Sequence, residues 1–284
     1  MSSNPKFHVL AASQKGSYHN EGQPNEDAFY YNHIDNGTLI AAVADGAGSN
    51  SAPFSSVGSR WATKFAVTWL SSVIDLWPES EKQDAGREWK ELIDQCFSET
   101  INHIQDRTNY LNNGANSLQI TMDAFATTLL IIVATEHFVA YGQVGDGGIV
   151  VQTAIDSNHK NTDYELHQLT EDHSKFANIT TFITSEDALK VIQSGFVQKP
   201  INGVCLFTDG LARIAFDKKE KEPRQSFLNP LIRIASVSNN EQRDNLELEK
   251  YLRSNRVQSR TFDDCCILVA GGISSKLTDD MAQN

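Results

Sequence analysis

The chain has 284 residues, 40% of them apolar and 21% charged, with a formal net charge of −12. This is the make-up of an ordinary globular protein, with room for one large domain or two small ones. The acidic balance sets aside a nucleic-acid surface, which needs clustered Lys and Arg. It reads as solubility, with some carboxylates reserved for a cation. No apolar run is long enough to span a bilayer, and residues 1–6 are polar with no secretory apolar stretch behind them. A cytoplasmic protein with no membrane partner is expected. Cys96, Cys205, Cys265 and Cys266 lack C-x-x-C spacing and stand in apolar surroundings, so buried free thiols are expected.

In chain order, residues 7–13 form an opening strand and the polar stretch 15–24 a loop. Asn25-Glu26-Asp27 leads into a second strand at 28–31. Asp35-Asn36-Gly37 has hairpin-turn chemistry, which folds that strand back on the apolar run Ile40-Ala41-Ala42-Val43-Ala44. The run ends abruptly at Asp45 and the turn Gly46-Ala47-Gly48, whose glycines are expected to let the backbone bend sharply and approach whatever Asp45 holds. The hairpin turn lies about midway between the acids, so Glu26 and Asp27 return beside Asp45, roughly 5 Å away across adjacent strands. Residues 51–74 read as a helix, capped by Ser51 and with Pro53 in its first turn. Its stripe of Val57, Trp61, Phe65 and Trp69 reads as core rather than as a ligand box.

After a polar break, a second amphipathic helix is expected at 87–110, with Trp89, Leu92, Ile93, Cys96, Phe97, Ile101 and Ile104 inward, and a loop at 111–119. The apolar runs 124–135 and 138–144 form a hairpin of buried strands, the second ending at Asp146. Residues 149–151 continue as strand, 156–163 form a loop and 164–169 a short strand. The stretch 170–195 shows no period, the mark of a functional or mobile segment. Residues 201–209 return to strand and 210–215 begin a helix, while 218–224 are a solvated charged loop. A helical pattern runs over 228–252 with a break at Ser238-Asn239-Asn240. Asp263-Asp264 precedes a last core strand at 265–270, and 274–284 are a polar tail. No repeat or linker interrupts the chain. Residues 1–284 are expected to form one domain of two-sheet type with long helices, its core at about 7–272 and its tail at 273–284.

Glu26, Asp27, Asp45, Asp146, Asp209 and Asp263 or Asp264 thus all fall at ends of apolar strands. A single Asp-Gly is a common turn, but three strands delivering one to a common rim suggest a hard-cation site. Carboxylate and carbonyl oxygens suit magnesium or manganese, and the lack of an accompanying His pair or Cys pair disfavours zinc. Two such ions sharing a carboxylate, about 3.5–4 Å apart, could generate hydroxide for in-line attack on a phosphoryl group.

The order Asn25-Glu26-Asp27, Asp45-Gly46-Ala47-Gly48, Ala126-Thr127-Thr128, Gly145-Asp146-Gly147, Leu169-Thr170-Glu171-Asp172-His173-Ser174, Thr208-Asp209-Gly210 and Asp263-Asp264 resembles the metal-dependent PP2C-type Ser/Thr protein phosphatases, over about residues 16–271. The resemblance implies an α+β fold, a four-layer αββα sandwich of two mainly antiparallel sheets flanked by helices. It implies hydrolysis of phosphoserine and phosphothreonine by a metal-bridging water, a manganese or magnesium pair with a weaker third ion, and phosphoprotein substrates shared with a cognate Ser/Thr kinase. Asp45 would bridge the pair, and Asp209 and Asp263 would bind the first ion. The acids Glu26 and Asp27, with the Gly46 carbonyl, would serve the second. Asp146 with Asp209 would form the third site. Thr127 and Thr128 are expected to be core hydrogen-bonding residues. His173 is expected to brace the flap at 170–195 beside the active site, with a role as general acid the alternative.

Three positions depart from the family pattern. Gly22 stands where many relatives carry a phosphate-binding Arg, and Lys15, His19 and His173 are the remaining candidates for substrate contact. Ser49 replaces the last glycine of the Asp-Gly-x-Gly-Gly turn. Asp146-Gly147-Gly148 replaces the common Asp-Ser-Arg. These shifts resemble the divergent, mostly bacterial branch. Loss of the arginine is also what a catalytically weak phosphoprotein-binding or regulatory module would show.

Overall fold

The computed structural model describes residues 6–17, 19, 22–34, 37–76, 86–114, 119–155, 164–171, 180–217 and 222–273. Ten strands make two antiparallel sheets of five. One contains β1 (Phe7–Gln14), β10 (Cys265–Gly272), β9 (Ile201–Phe207), β6 (Gly148–Ala154) and β7 (Tyr164–Gln168), in that order. The other contains β2 (Ala28–Ile34), β3 (Thr38–Ala44), β4 (Leu129–Ala134), β5 (Phe138–Val144) and β8 (Gln193–Gln198). Helices α1 (Ser55–Asp75) and α2 (Gly86–Gly114) cover the second sheet. Helices α4 (Gln225–Val237) and α5 (Glu241–Arg253) cover the first. Two short helices, α3 (Ala212–Ala215) and α6 (Asn255–Gln258), also lie among the described residues.

The period-two alternation of a strand accounts for the four layers. Leu39, Ala41 and Val43 of β3 face Leu206 of β9 and Leu268 of β10 between the sheets, while Ile40, Ala42 and Ala44 face the α1–α2 layer. Likewise Leu10, Val150, Cys205 and Val269 pack under α4 and α5. A strand buried on both faces must be apolar at every position, which is why these runs show no polar alternation. All four cysteines are free and buried, as expected.

Several boundaries differ from those read in the sequence. Helix α1 starts at Ser55, not at Ser51, and Pro53 lies outside it. The Ser51 hydroxyl pairs with that of Ser49 instead of capping the helix, and the Phe54 amide is drawn onto the Ala124 carbonyl at 2.8 Å. The buried face of α1 is small in its first turns, Ser59, Ala62, Thr63 and Ala66, and larger toward its end, Val67, Leu70 and Ile74; Trp61, Phe65 and Trp69 are half-buried. They still pack rather than bind: Trp61 stacks on Phe125 and Phe65 on His103 of α2. Helix α2 continues to Gly114, through the first residues assigned to a loop. Residues 122–125 form a 3-10 turn, so β4 begins only at Leu129. The stretch read as irregular runs into the start of β8, which pairs antiparallel with β5 and continues to Gln198. The hairpin residues Asp35 and Asn36, most of the 77–86 break, the 156–163 loop, part of the charged loop and the 274–284 tail lie outside the described residues. Among the described residues no helix is long and apolar enough to cross a membrane.

Candidate metal centre

The β2–β3 register pairs Ala28 with Ala44, which sets Asp27 beside Asp45 one step beyond the ladder. Asp146 arrives differently. Strand β5 belongs to one sheet and β6 to the other, and Gly145 and Gly147, at φ +97° and +108°, carry the chain across. Asp146 sits between them, where the sheets exchange. Asp209 follows β9 at the head of a 3-10 turn. Asp45, Asp146 and Asp209 each offer a carboxylate oxygen within 4.8 Å of the others.

The turn after Asp45 is held by the two threonines just ahead of β4. The Asp45 amide donates to Thr128 Oγ1 at 2.9 Å, and the Asp45 carbonyl accepts from the Thr128 amide at 2.8 Å and Thr127 Oγ1 at 2.9 Å. Thr127 and Thr128 are fully buried, in the bracing role expected of them. Gly46 and Gly48 do not adopt a left-handed φ. Gly46 is required by close approach instead: a Cβ there would lie 2.8 Å from the Glu26 carbonyl oxygen and 2.9 Å from the Ser55 carbonyl carbon.

The neighbouring acids Glu26 and Asp27 point to different surroundings. Asp27 is 5% exposed, with Oδ2 accepting from Thr208 Oγ1 at 2.7 Å. Its Oδ1 is buried without a hydrogen-bond donor among the described residues. Glu26 faces the Gly46–Gly48 turn, and its Oε1 accepts from Ser55 Oγ at 2.8 Å. Asp264 divides its two oxygens between the Gly16 amide (2.7 Å) and the Glu26 amide (2.6 Å), stitching the loop after β1 to the head of β2. Asp263 is exposed, and its Oδ1 accepts the Asp264 amide at 2.9 Å. Its charge is felt by both Asp209 and Glu26. The pair thus divides into a buried clamp and an outward carboxylate.

Electrostatics mark the cluster as incomplete. Burial, then repulsion from Asp27, Asp209 and Asp146, raises the Asp45 pKa well above the carboxylate range. Burial does the same to Asp27, against the Thr208 hydrogen bond. Asp209 is pushed up to about 7 by burial and by the charges of Asp146 and Asp263. Glu26 is raised by burial, with Ser55 and His19 opposing. Among the described residues no ion pair involves Asp27, Asp45, Asp209 or Asp263. Crowded carboxylates without a basic neighbour, one with a bare buried oxygen, suit hard divalent cations.

His19 joins the rim: its Nδ1 lies 3.6 Å from Asp264 Oδ1, in a group with Glu26. Lys15 is half-buried at the start of the same loop. His173 lies outside the described residues. Sequence reading missed the supporting hydroxyls: Ser55, Thr208 and Thr180, whose Oγ1 donates to Asp146 Oδ2 at 2.8 Å. Thr208 had a signal, since it stands directly before Asp209; Thr180, in a segment without a period, had none.

A family model described as protein phosphatase 2C matches residues 15–253. The chain belongs to the protein phosphatase 2C family. Serine/threonine-protein phosphatase 3 of Escherichia coli (strain K12) is 30% identical to it over 234 residues, covering 82% of this chain and 83% of that protein. Among solved structures, the serine/threonine phosphatase Stp1 of Staphylococcus aureus superposes with a TM-score of 0.56 at 17% identity, covering 96% of this chain and 98% of that one. The serine-threonine phosphatase 2C of Toxoplasma gondii gives 0.59 at 14%, covering 95% and 96%. The catalytic domain of PstP, solved with two manganese ions, gives 0.54 at 15%, covering 94% and 99%. These likenesses agree on the αββα sandwich of the protein phosphatase 2C fold.

Proposed function

We infer that this chain is a metal-dependent protein phosphatase that hydrolyses phosphoserine and phosphothreonine. Family membership supports the reaction class. The observation that carries it to this chain is the convergence of Asp45, Asp146 and Asp209 within 4.8 Å, with Asp27 buried beside them. In this reading Asp45, Asp209, Asp263, Glu26 and the Gly46 carbonyl would hold the ions, and Asp146 with Asp209 would offer a weaker further site. Manganese or magnesium, when bound, supplies charge stabilisation at the phosphoryl oxygens and a more acidic water. Asp27, fixed by Thr208, is placed to accept a proton from an attacking water, and the Asp264 clamp keeps Glu26 in reach. His19 stands at the rim where a phosphoprotein would enter, in place of the absent arginine at Gly22.

The interior shared by both sheets supports a single phosphatase domain, and the four unpaired thiols suit a reducing, cytoplasmic setting. A signalling role opposite a Ser/Thr kinase follows from the substrate class. Every acid the reading names is present, and nothing in the geometry favours a non-catalytic module. The test is phosphate release from phosphoserine and phosphothreonine peptides against nucleotides, each with added manganese. Turnover of the peptides, lost in Asp209→Asn, is expected. Turnover confined to nucleotides would assign the site to a small-molecule phosphohydrolase.

A further inference from the structure

A groove of about 430 Å³ opens between α4 and α5, above Leu10 of β1. Phe227, Leu231, Ile234, Leu248 and Tyr251 form its walls, and Ile234 is 45% exposed. It is elongated: its lining runs along α4 from Ser226 to Ile234, roughly 12 Å at 1.5 Å per residue. Pro230 lies inside α4 and donates no amide, so the Ser226 carbonyl in the groove lacks its helical partner.

The charges of the groove are unevenly satisfied. Asp244 is bound by Arg243 and Ser238, and Glu247 by Lys250. Arg224 donates to the Phe216 carbonyl and lies 4.0 Å from Asp217. Arg256 and Arg260 are exposed and have no ion-pair partner among the described residues. Phe227 near the start of α4 stacks on Tyr251 near the end of α5, so Arg224, Arg256 and Arg260, which all line the groove, belong to the end where α4 starts and α5 finishes. On a chain of net charge −12 this basic end stands out. Arg260 comes three residues before Asp263, so along the chain that end lies within about 10 Å of one of the rim acids.

We propose that the groove docks an acidic, apolar segment of the phosphoprotein substrate, distinct from its phosphorylated residue. The proposal rests on the phosphatase reading above. Apolar side chains of that segment fill the space between the helices, carboxylates meet Arg256 and Arg260, and a backbone amide can reach the Ser226 carbonyl. An extended or helical peptide matches the length of the groove, and the arginine fork matches carboxylates.

The test uses the full chain and a peptide that joins a phosphothreonine to a Glu-rich segment bearing Leu and Phe. Its control carries Lys in place of the Glu residues. Wild type should prefer the acidic peptide by about tenfold in kcat/KM, equivalent to about 1.4 kcal/mol. Arg256→Glu with Arg260→Glu, and separately Ile234→Asp, should abolish the preference while leaving p-nitrophenyl phosphate turnover at the wild-type rate. Equal turnover of both peptides by wild type, or a preference that survives charge reversal, would overturn the proposal. Fluorescence anisotropy with the labelled, unphosphorylated acidic segment reads the groove independently, so failure of the phosphatase reading would remain distinguishable. Two results would reassign the groove and overturn the proposal. One is a dimer that dissociates in the double variant, giving the groove to a second copy. The other is peptide binding seen only in Asp279→Lys with Asp280→Lys, giving it to the chain's own polar tail at 274–284, which carries both aspartates.

Discussion

Thr208 joins two elements through one hydroxyl: Oγ1 donates to Asp27 Oδ2 at 2.7 Å and accepts from the Cys266 amide at 2.9 Å. Thr208→Val keeps the shape and strips both bonds, leaving a buried amide and a buried carboxylate oxygen bare. A loss of about 1–3 kcal/mol in urea unfolding is expected; unchanged stability would show that the hydroxyl is not a tie. Asp209 supplies a second prediction. Its pKa lies at about 7 in the folded protein against an ordinary 3.8. The stability that this contributes is complete below pH 4 and is lost as pH rises through 7. In EDTA, Asp209→Asn should therefore outlast wild type in thermal melts at pH 8, by up to about 4 kcal/mol, with the gap closing toward pH 4. A gap that widens toward low pH would contradict the electrostatic account. The clustered acids themselves were legible in the sequence because each stands at the end of an apolar run; the hydroxyls that hold them were not, because a Ser or Thr has no such contrast with its neighbours.

The elements differ in how much their residues disclose. The β2–β3 hairpin was legible because its turn lies midway between the acids it brings together, so register followed from counting. The start of α1 was not: Ser51 and Pro53 carry start signals, but the Phe54 amide is taken by the Ala124 carbonyl, a partner about seventy residues away. Strand β8 was missed because Gln193-Ser194-Gly195-Phe196-Val197-Gln198 is half-buried without alternation and becomes a strand by pairing with β5. The crossing at Gly145–Gly147 combines a positive φ with a close approach of the backbone. At Gly147, φ is +108° and a Cβ would stand 2.5 Å from the Phe207 carbonyl oxygen. Gly147→Ala should cost more than about 1–2 kcal/mol and lower the melting temperature. A melting temperature equal to that of wild type would mean that the turn can be rebuilt without the glycine.

At the scale of the whole molecule, two sheets buried on both faces fix the strand ends, and the strand ends fix the acids. The carboxylates converge at one rim of the sandwich, where burial and mutual repulsion disfavour their charged forms unless a cation balances them. The resemblance carried by short motifs anticipated this layout because those motifs are the strand ends. The groove between α4 and α5 lay outside every motif, since it is made by helix faces whose residues are otherwise ordinary core. The central claim is that these acids hold catalytic divalent ions through Asp45, and the most direct measurement is a manganese titration of wild type and Asp45→Asn, read both by calorimetry and by phosphopeptide turnover. Wild type should bind two tight ions and gain its activity in step with them, and the variant should lose both. Full turnover in EDTA, or an Asp45→Asn variant that binds manganese and hydrolyses phosphopeptide like wild type, would contradict the account.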